Sequence, residues 1–386
     1  MTLREILDLE PVRQSEFPVT REKVFLAHAG VCPLPRRVSD AIRDYAALCT
    51  SGDQETLAPA LRMPQTRELA ARLIGAAPEE IAFVGPTSAG LSQVASGLAW
   101  KPGDQILFYP DDYPSNVYPW MALAKAGVDL APIRTSSLGA ITPEIVEQHL
   151  TPRTRLVALA SCHFVSGYRI DISSIGYLLH QRGVLFCLDA IQTLGAFPTP
   201  VDHVDFMAAD AHKWMLGPCA AGILYVKRSI QDHLRPAAFG WNNVHCPQYI
   251  ARDTLDFMPD ARRYEAGSAN LLGIVGLHAA LELLIETGID DIAAELLRKR
   301  SWLQGQLQSR GWSVLNADAP PAAAGGILSV HRAGTDLPLL HSRLEADGIA
   351  ASLRYDRAGQ GYLRISPHFY NTDAELERLL ERLGPA

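Results

Sequence analysis

A run of five apolar residues, VLFCL at positions 184–188, ends at Asp189 and limits the folds available to this chain. Unbroken apolar runs bounded by turns are typical of strands buried on both faces, as in parallel sheets with helices on either side. Similar runs stand at residues 81–84, 155–160 and 222–226. The sequence therefore predicts an α/β fold in which Asp189 stands at the carboxyl end of a strand, where open sheets of this class bind ligands.

The segment ADAHKWMLGP at residues 209–218 places Lys213 between His212 and Trp214, directly after a second, mostly apolar strand at residues 204–208. An acid and a lysine at neighbouring strand ends suit pyridoxal phosphate (PLP), because the amine bonds to the cofactor aldehyde and the acid pairs with the pyridinium nitrogen. A surface lysine and an acidic loop residue would explain each residue taken alone. The joint pattern favours Lys213 and Asp189 as catalytic residues.

Length, charge and cysteine content narrow the remaining choices. A chain of 386 residues predicts two domains, and a net charge of −7 argues against nucleic acid as the main partner. The start of the chain is unlike a signal peptide, and its longest apolar stretch, residues 271–281, is too short to cross a bilayer. We therefore expect a cytoplasmic protein with no membrane partner. Six scattered cysteines without a CxxC pair predict no metal site and no disulfide framework.

A phosphate site is predicted where the strand at residues 81–84 meets the turn GPTSAG at residues 85–90 and a helical run at residues 91–98. The free N–H groups and the positive dipole end of a helix start face one point, which favours an anion. The hydroxyls of Thr87 and Ser88 would add donors to that point. Threonine and serine are also common helix N-caps, so capping is the alternative role.

Several of these motifs resemble those of one known family. The segments DAIQ at residues 189–192 and HKW at residues 212–214 are similar to the pyridinium and lysine motifs of the class V aminotransferase and cysteine desulfurase family of fold type I PLP enzymes. Further similar motifs extend from Phe25 to Thr372, and the nearest branch is the one typified by isopenicillin N epimerase. The resemblance implies a large domain with a mostly parallel seven-stranded sheet between helices and a smaller α+β C-terminal domain. It divides the chain into an arm at residues 1–20, a PLP-binding domain at residues 21–260 and a small domain at residues 261–386, on which the N-terminal segment can pack.

The resemblance also implies roles for individual residues. Those expected to bind the cofactor are Thr87, Ser88, Tyr113, His163, Asp189, Gln192, His212, Lys213 and Ser268. Tyr113 stands where desulfurases have a ring-stacking histidine. His163 either contacts the phenolic oxygen of the cofactor or acts on substrate, and a core histidine is the alternative.

Two residues are expected to bind substrate. Arg364 matches the family arginine whose guanidinium forms paired hydrogen bonds with the α-carboxylate. His28 stands in a turn that lines the substrate side of the pocket, although a structural role is equally compatible with the sequence. The hydroxyl of Ser268 would reach the phosphate of the partner subunit, which implies a homodimer with shared active sites.

Two departures from the family pattern bear on function. Asp210 stands where the family often has a phosphate-binding serine, and a carboxylate cannot donate to a phosphate dianion, so Asp210 is left out of the site. The nucleophilic cysteine of desulfurases is missing from residues 352–362, and no cysteine follows Cys246.

We therefore predict an enzyme that acts on a small α-amino acid through a Cα carbanion, by transamination, epimerisation or β-elimination such as a C–S lyase reaction. The motif residues leave these three reactions open. Cysteine desulfurase or selenocysteine lyase activity is the alternative, and a catalytically inactive PLP-binding regulator is another. Nucleotide binding is disfavoured because no GxGxxG segment follows a strand.

Overall fold

The computed structural model describes residues 1–57 and 59–384. Its strands, in chain order, are β1 (Val24–Phe25), β2 (Ile81–Val84), β3 (Gln105–Phe108), β4 (Asp129–Pro132), β5 (Thr154–Ala160), β6 (Leu185–Asp189), β7 (Phe206–Ala209), β8 (Gly222–Val226), β9 (Ser313–Val314), β10 (Leu328–His331), β11 (Ile349–Ala350), β12 (Ser352–Tyr355) and β13 (Gly361–Ile365). Its α-helices are α1 (Leu3–Asp8), α2 (Glu10–Glu16), α3 (Arg36–Leu48), α4 (Gln54–Leu57), α5 (Pro59–Ile74), α6 (Thr87–Gly97), α7 (Tyr118–Met121), α8 (Pro143–His149), α9 (Ile172–Gln181), α10 (Leu271–Thr287), α11 (Ile289–Ser309), α12 (Leu337–Ala346) and α13 (Asp373–Leu383).

Seven strands form one sheet in the order β2-β8-β7-β6-β5-β3-β4. Strands β3 to β7 are parallel to their neighbours within that group, and β8 is antiparallel to both β7 and β2. Both faces of the sheet are covered: in β6, Phe186 and Leu188 pack in one core and Cys187 packs in the other. Alternate residues of a strand point to opposite faces, so a doubly covered strand must be apolar throughout. The predicted mostly parallel, seven-stranded sheet is confirmed.

A second, antiparallel sheet forms the smaller domain, in the order β12-β13-β10-β9. Its core includes Trp312 just before β9, Leu363 of β13 and Leu376 of α13. Residues 352–362, the segment without the desulfurase cysteine, contain β12, which pairs with β13. Helix α10 follows the predicted domain boundary at residue 260, yet it packs against α3 and α5 of the large domain.

The N-terminal segment lies against the small domain. Strand β1 pairs in parallel with β11, and the Arg13 guanidinium donates to Glu375 (2.9 Å) and to the Tyr370 carbonyl (3.3 Å). The arm and the small domain therefore share contacts.

Helices α10 and α11 bear on whether the chain could span a membrane. Within residues 1–57 and 59–384, no single helix is long and apolar enough to cross a bilayer. The two helices satisfy that criterion only when joined, and a 77° bend separates them.

Candidate active site

The carboxyl ends of the parallel strands hold the candidate site. Strand β6 ends at Asp189, which lies in register with Ala160 at the end of β5 and with Ala208 on β7. The loop after β7 contains Lys213. Because neighbouring parallel strands end at the same edge of a sheet, Asp189 and Lys213 come close enough for their charges to interact.

Lys213 is the central side chain of this site. It is 7% exposed, and its Nζ lies 5.3 Å from the centroid of the Tyr113 ring. Burial lowers the pKa of the amine to about 8; the Asp189 charge opposes this shift, and the charges of Arg364 and Arg354 add to it. The lowered pKa increases the fraction of Lys213 that is uncharged near neutral pH, which suits an amine that must attack an aldehyde.

Asp189 is buried, and its Oδ1 accepts a hydrogen bond from the Ile191 N–H at 3.1 Å. Burial, and after it the neighbouring Asp112 carboxylate, raises the pKa of Asp189 to about 7. A protonated ring nitrogen beside this carboxylate would stabilise the ionised form of Asp189. Asp189 is therefore suited to hold such a proton.

Asp112 is a member of the site that the sequence analysis missed. Its carboxylate is buried and accepts from the Asn116 amide (3.0 Å) and from the Tyr113 N–H (2.7 Å), and burial raises its pKa to about 6. The signal that could have found it is its position just beyond the buried strand β3, which parallels that of Asp189 at the end of β6. Two buried acids with raised pKa values thus lie near one lysine.

Helix α6 begins at Thr87, and no side chain caps its N-terminus. The Thr87 hydroxyl oxygen accepts from the Asp210 N–H at 2.9 Å, so its own proton is available to donate. Ser88, the second residue of the helix, is partly exposed. Thr87 and Ser88 therefore do not cap the helix within the described residues. The free N–H groups of the helix start and the two hydroxyls remain as donors for a phosphate.

Asp210 organises the loop that leads into and out of Lys213. Its Oδ1 accepts from the Ala211 N–H (2.8 Å) and the Ala221 N–H (3.0 Å). Its Oδ2 accepts from the Ala220 N–H (3.0 Å) and from His212 Nδ1 (2.8 Å). Four donors saturate the carboxylate, which explains how an acid can stand beside a phosphate site without facing the phosphate.

Gln192 connects two segments that border the site. Its Oε1 accepts from Trp214 Nε1 at 2.7 Å, and its Nε2 donates to the Ala29 carbonyl at 3.1 Å. One amide N–H has no partner among the described residues, so it remains able to donate to the cofactor. Gln192 also positions the tryptophan that follows Lys213.

His163 does not fit its predicted cofactor contact. Its Nδ1 accepts from the Ser166 N–H at 3.1 Å, which leaves Nε2–H to donate to the Asp111 carbonyl at 3.0 Å. Burial lowers the pKa of the ring to about 4, so the imidazole is neutral and both nitrogens are occupied by the backbone. The structure supports the alternative of a core histidine.

Tyr113 is 46% exposed and leaves its ring available for stacking.

His28 also has a structural position in place of the predicted contact with substrate. It is fully buried, its Nδ1 lies 3.0 Å from the Ser366 carbonyl, and its Nε2 lies 2.7 Å from the Tyr370 hydroxyl. Burial lowers the pKa of its ring to about 3. His28 therefore connects the β1 segment to the segment after Arg364 through hydrogen bonds. Gly30, two residues further on, lies at the site beside Arg364 and Arg354.

Ser268 is exposed on the loop before α10, and its hydroxyl donates to Glu55 at 2.8 Å. It borders a cavity of about 540 Å³ that is lined by Gly85, Ala220 and Ala238, among others. Within the single chain Ser268 has a carboxylate partner, and its predicted contact with phosphate requires a second subunit.

Arg364 extends from β13 of the small domain. It is 1% exposed, its Nη1 donates to the Phe164 carbonyl at 2.8 Å, and its Nε is buried without a hydrogen-bond partner. Burial, and then the nearby Arg354 charge, lowers the pKa of the guanidinium to about 9. A buried cation with an unused donor is suited to bind an anion such as a carboxylate.

The residues present fit PLP. Lys213 would bond to the aldehyde, Asp189 would hold the ring nitrogen, and Tyr113 would stack on the ring. The uncapped start of α6 and the His212 Nε2, which has no partner in the described residues, would hold the phosphate. The unpartnered Nε of Arg364 remains for substrate.

Comparison with known proteins agrees with this fit. Residues 24–379 match the family model described as Aminotransferase class-V. A probable cysteine desulfurase of Methanothermobacter thermautotrophicus is 29% identical in an alignment that covers 97% of each chain.

Two solved structures share the fold. The cysteine desulfurase of Thermococcus onnurineus NA1 superposes with a TM-score of 0.89 at 24% identity and 97% coverage of each chain. A variant of the cystine C–S lyase C-DES, with glycine covalently linked to its PLP cofactor, has a TM-score of 0.85 at 22% identity and covers 96% of this chain and 98% of its own.

Proposed function

Because this chain belongs to the class-V aminotransferase family and is a PLP-dependent enzyme, we propose that it acts at Cα or Cβ of an α-amino acid without transferring sulfur to a cysteine of its own. Reactions of this kind are transamination, epimerisation and β-elimination, which includes C–S bond cleavage. One observation carries the proposal: hairpin β12–β13 presents Arg354 and Arg364 towards Lys213 and contains no cysteine.

Four of the six cysteines support the same conclusion. Burial raises the pKa of the Cys32 and Cys162 thiols to about 12 and raises that of Cys187 well above its ordinary value. Cys219 is exposed, but partial burial of its thiol, and after it the Asp210 charge, also raises the pKa of that thiol. A thiol that stays protonated at neutral pH is a poor sulfur acceptor.

When bound, PLP supplies an aldehyde that captures amines and a ring that withdraws electrons from the captured amino acid. The Lys213 amine, whose pKa is lowered, would accept the proton from the substrate Cα. Asp189 would keep the ring nitrogen protonated, and Arg364 would bind the α-carboxylate. Arg364 stands on the small domain and Lys213 on the large one, so a bound carboxylate would hold the two together and exclude water.

Incubation with L-cysteine and a reductant tests the proposal. We expect any sulfide released to be accompanied by pyruvate, because elimination removes the sulfur as a leaving group and leaves a three-carbon keto acid. Liquid chromatography of the products measures pyruvate against alanine. The variant Cys219→Ala, which removes the exposed thiol, is the matched control and should release the same products at the same rate.

Alanine formed in equal amount to sulfide, together with a persulfide on any of the six cysteines, would overturn the proposal in favour of desulfurase chemistry. A panel of amino acids, each with and without an α-keto acid acceptor, then separates the three remaining reactions. Transamination requires the acceptor, epimerisation changes only the configuration at Cα, and elimination releases the side-chain substituent.

We also propose that the chain forms a homodimer with shared active sites. The segment from Phe239 to Leu255 exposes large apolar side chains: Phe239 is 63% exposed, Tyr249 75% and Ile250 67%. Several exposed large apolar side chains in one segment support a protein interface. Ser268 and the adjacent cavity would receive the partner subunit.

Sedimentation equilibrium tests the dimer. Wild type should have twice the mass of one chain, and the double variant Phe239→Ser/Ile250→Ser should shift towards the mass of one chain because it removes apolar contact area. Tyr177→Ser, which changes a 56%-exposed tyrosine on α9, is the matched control and should leave the mass unchanged. A monomeric wild type would contradict the proposal.

Two finer predictions stay part of the proposal. The isopenicillin N epimerase-like branch is supported only by the resemblance of the sequence motifs, and the panel of amino acids described above tests it, since racemised substrate is its signature. A cytoplasmic location is supported by six cysteines without a disulfide, and fractionation of the cells that make the protein checks it.

A further inference from the structure

Two arginines share one wall of the site, and the pairing of β12 with β13 explains why. The register places Ser352 opposite Arg364 and Arg354 opposite Tyr362. Side chains of directly paired residues point to the same face of a sheet, as do residues two apart along a strand. All four side chains therefore lie on one face, and the two arginines are diagonal neighbours.

The two guanidiniums converge in front of Gly30. A β-carbon placed on Gly30 would lie 3.7 Å from Nη2 of Arg364 and 4.0 Å from Nη2 of Arg354. Gly30 is partly exposed, so the space that a side chain would fill is open to the site. The charges of both arginines also act on Lys213, which places this space beside the reacting lysine.

Neither guanidinium forms an ion pair with an acid among residues 1–57 and 59–384. Arg364 donates to the Phe164 carbonyl and, at 3.4 Å, to the Ser352 hydroxyl, and its Nε has no partner among the described residues. Within the same part of the chain, Arg354 donates only to the Leu353 carbonyl, at 2.8 Å.

The charged residues nearest along the hairpin are engaged elsewhere. Asp356 accepts from the Tyr362 hydroxyl (3.2 Å) and from the Gln360 N–H (2.9 Å), and Arg357 pairs with Asp111 at 3.3 Å. The acids of the site, Asp112 and Asp189, act on Lys213. Two adjacent cations, one of them fully buried, therefore face the site without an anion from the protein.

We propose that the substrate carries a second anionic group: an amino acid whose side chain ends in a carboxylate, bound by Arg354 while Arg364 binds the α-carboxylate. This inference rests on the proposed function and specifies its substrate class. A single α-carboxylate neutralises one guanidinium, whereas a dicarboxylic amino acid neutralises both. Arg354 acts as a specificity-determining residue because its donors meet a group that neutral side chains lack.

Isosteric pairs of substrates test the assignment. L-aspartate against L-asparagine, and L-glutamate against L-glutamine, differ in charge at nearly constant size. We expect wild-type kcat/KM to favour the acid of at least one pair by about tenfold to a hundredfold, and Arg354→Gln to remove that preference. Arg357→Gln, on the same hairpin but paired with Asp111, is the matched control and should keep the preference.

Binding to the holoenzyme provides a readout that needs no turnover. Succinate, a dicarboxylate, should bind at least tenfold more tightly than butyrate, a monocarboxylate of the same chain length, as followed by isothermal calorimetry. Arg354→Gln should reduce the affinity for succinate to that for butyrate. Arg354→Lys, which keeps the charge and loses the planar fork, should recover part of the difference.

Equal affinity of wild type for succinate and butyrate would overturn the inference. So would an equal loss for both ligands in Arg354→Gln, because the two arginines would then share one carboxylate. In either case, cofactor absorbance and turnover of a monocarboxylic amino acid would leave the proposed function intact. A protein that binds no PLP at Lys213 would instead remove the proposed function itself.

Discussion

Replacement of Lys213 by alanine is expected to abolish the covalent attachment of PLP and to lower turnover by roughly a thousandfold or more. Lys213 supplies both the amine that bonds to the cofactor aldehyde and the base for the substrate Cα proton, so one substitution removes two functions. After borohydride reduction of wild type, peptide mapping should find the pyridoxyl group on residue 213 alone. The variant should carry none.

Lys227→Ala is the matched control for this experiment. Lys227 lies after β8, and its Nζ donates to the Asp202 carbonyl at 2.9 Å, away from the site. It should retain cofactor and turnover. A pyridoxyl group found on Lys227 or Lys101 of wild type would refute the assignment of Lys213.

Asp189→Asn is expected to keep part of the bound PLP while turnover falls by roughly a hundredfold or more. Burial raises the pKa of Asp189 to about 7 in the protein alone, and a pyridinium placed against it would favour the ionised form. A neutral amide offers no such charge, so the ring nitrogen would lose its proton and much of its power to withdraw electrons. Absorbance measures occupancy, and initial rates measure turnover.

Asp112→Asn provides the comparison, because it removes the other buried carboxylate of the same pair. Asp112 already has partners in Asn116 and the Tyr113 N–H, so we expect a smaller loss of turnover from this variant than from Asp189→Asn. Near-normal turnover of Asp189→Asn at full occupancy would instead assign Asp189 a purely structural place at the end of its strand.

The central strands could be predicted from the sequence because burial on both faces allows no polar position. Strands β5 and β6 lie within one residue of the apolar runs that predicted them. Strands β4 and β12 were missed for the complementary reason. Each is at the edge of its sheet and is partly exposed, so neither carries an apolar run or a regular alternation.

Lys213, Asp189 and Thr87 could be proposed from the sequence because Asp189 ends a strand, Lys213 follows one and Thr87 begins a helix. The sequence left the roles of His28 and His163 open between cofactor or substrate contact and a structural position, for a different reason. Whether a histidine is available depends on the partners of its two nitrogens. For His28 those partners are Ser366 and Tyr370, which lie in the last part of the chain.

The sequence by itself determined the fold class and the lack of any cysteine beyond Cys246, and it predicted Lys213 and Asp189 as the lysine and acid of the cofactor site, because these inferences depend on local apolar patterns and on residue identity. Only the tertiary structure decided that Asp112 joins Asp189 and that Arg354 lies beside Arg364 in front of Gly30. These juxtapositions arise from strand register and from the packing of the small domain on the β1 segment. A local pattern contains no information about the distance between segments that are remote in the chain.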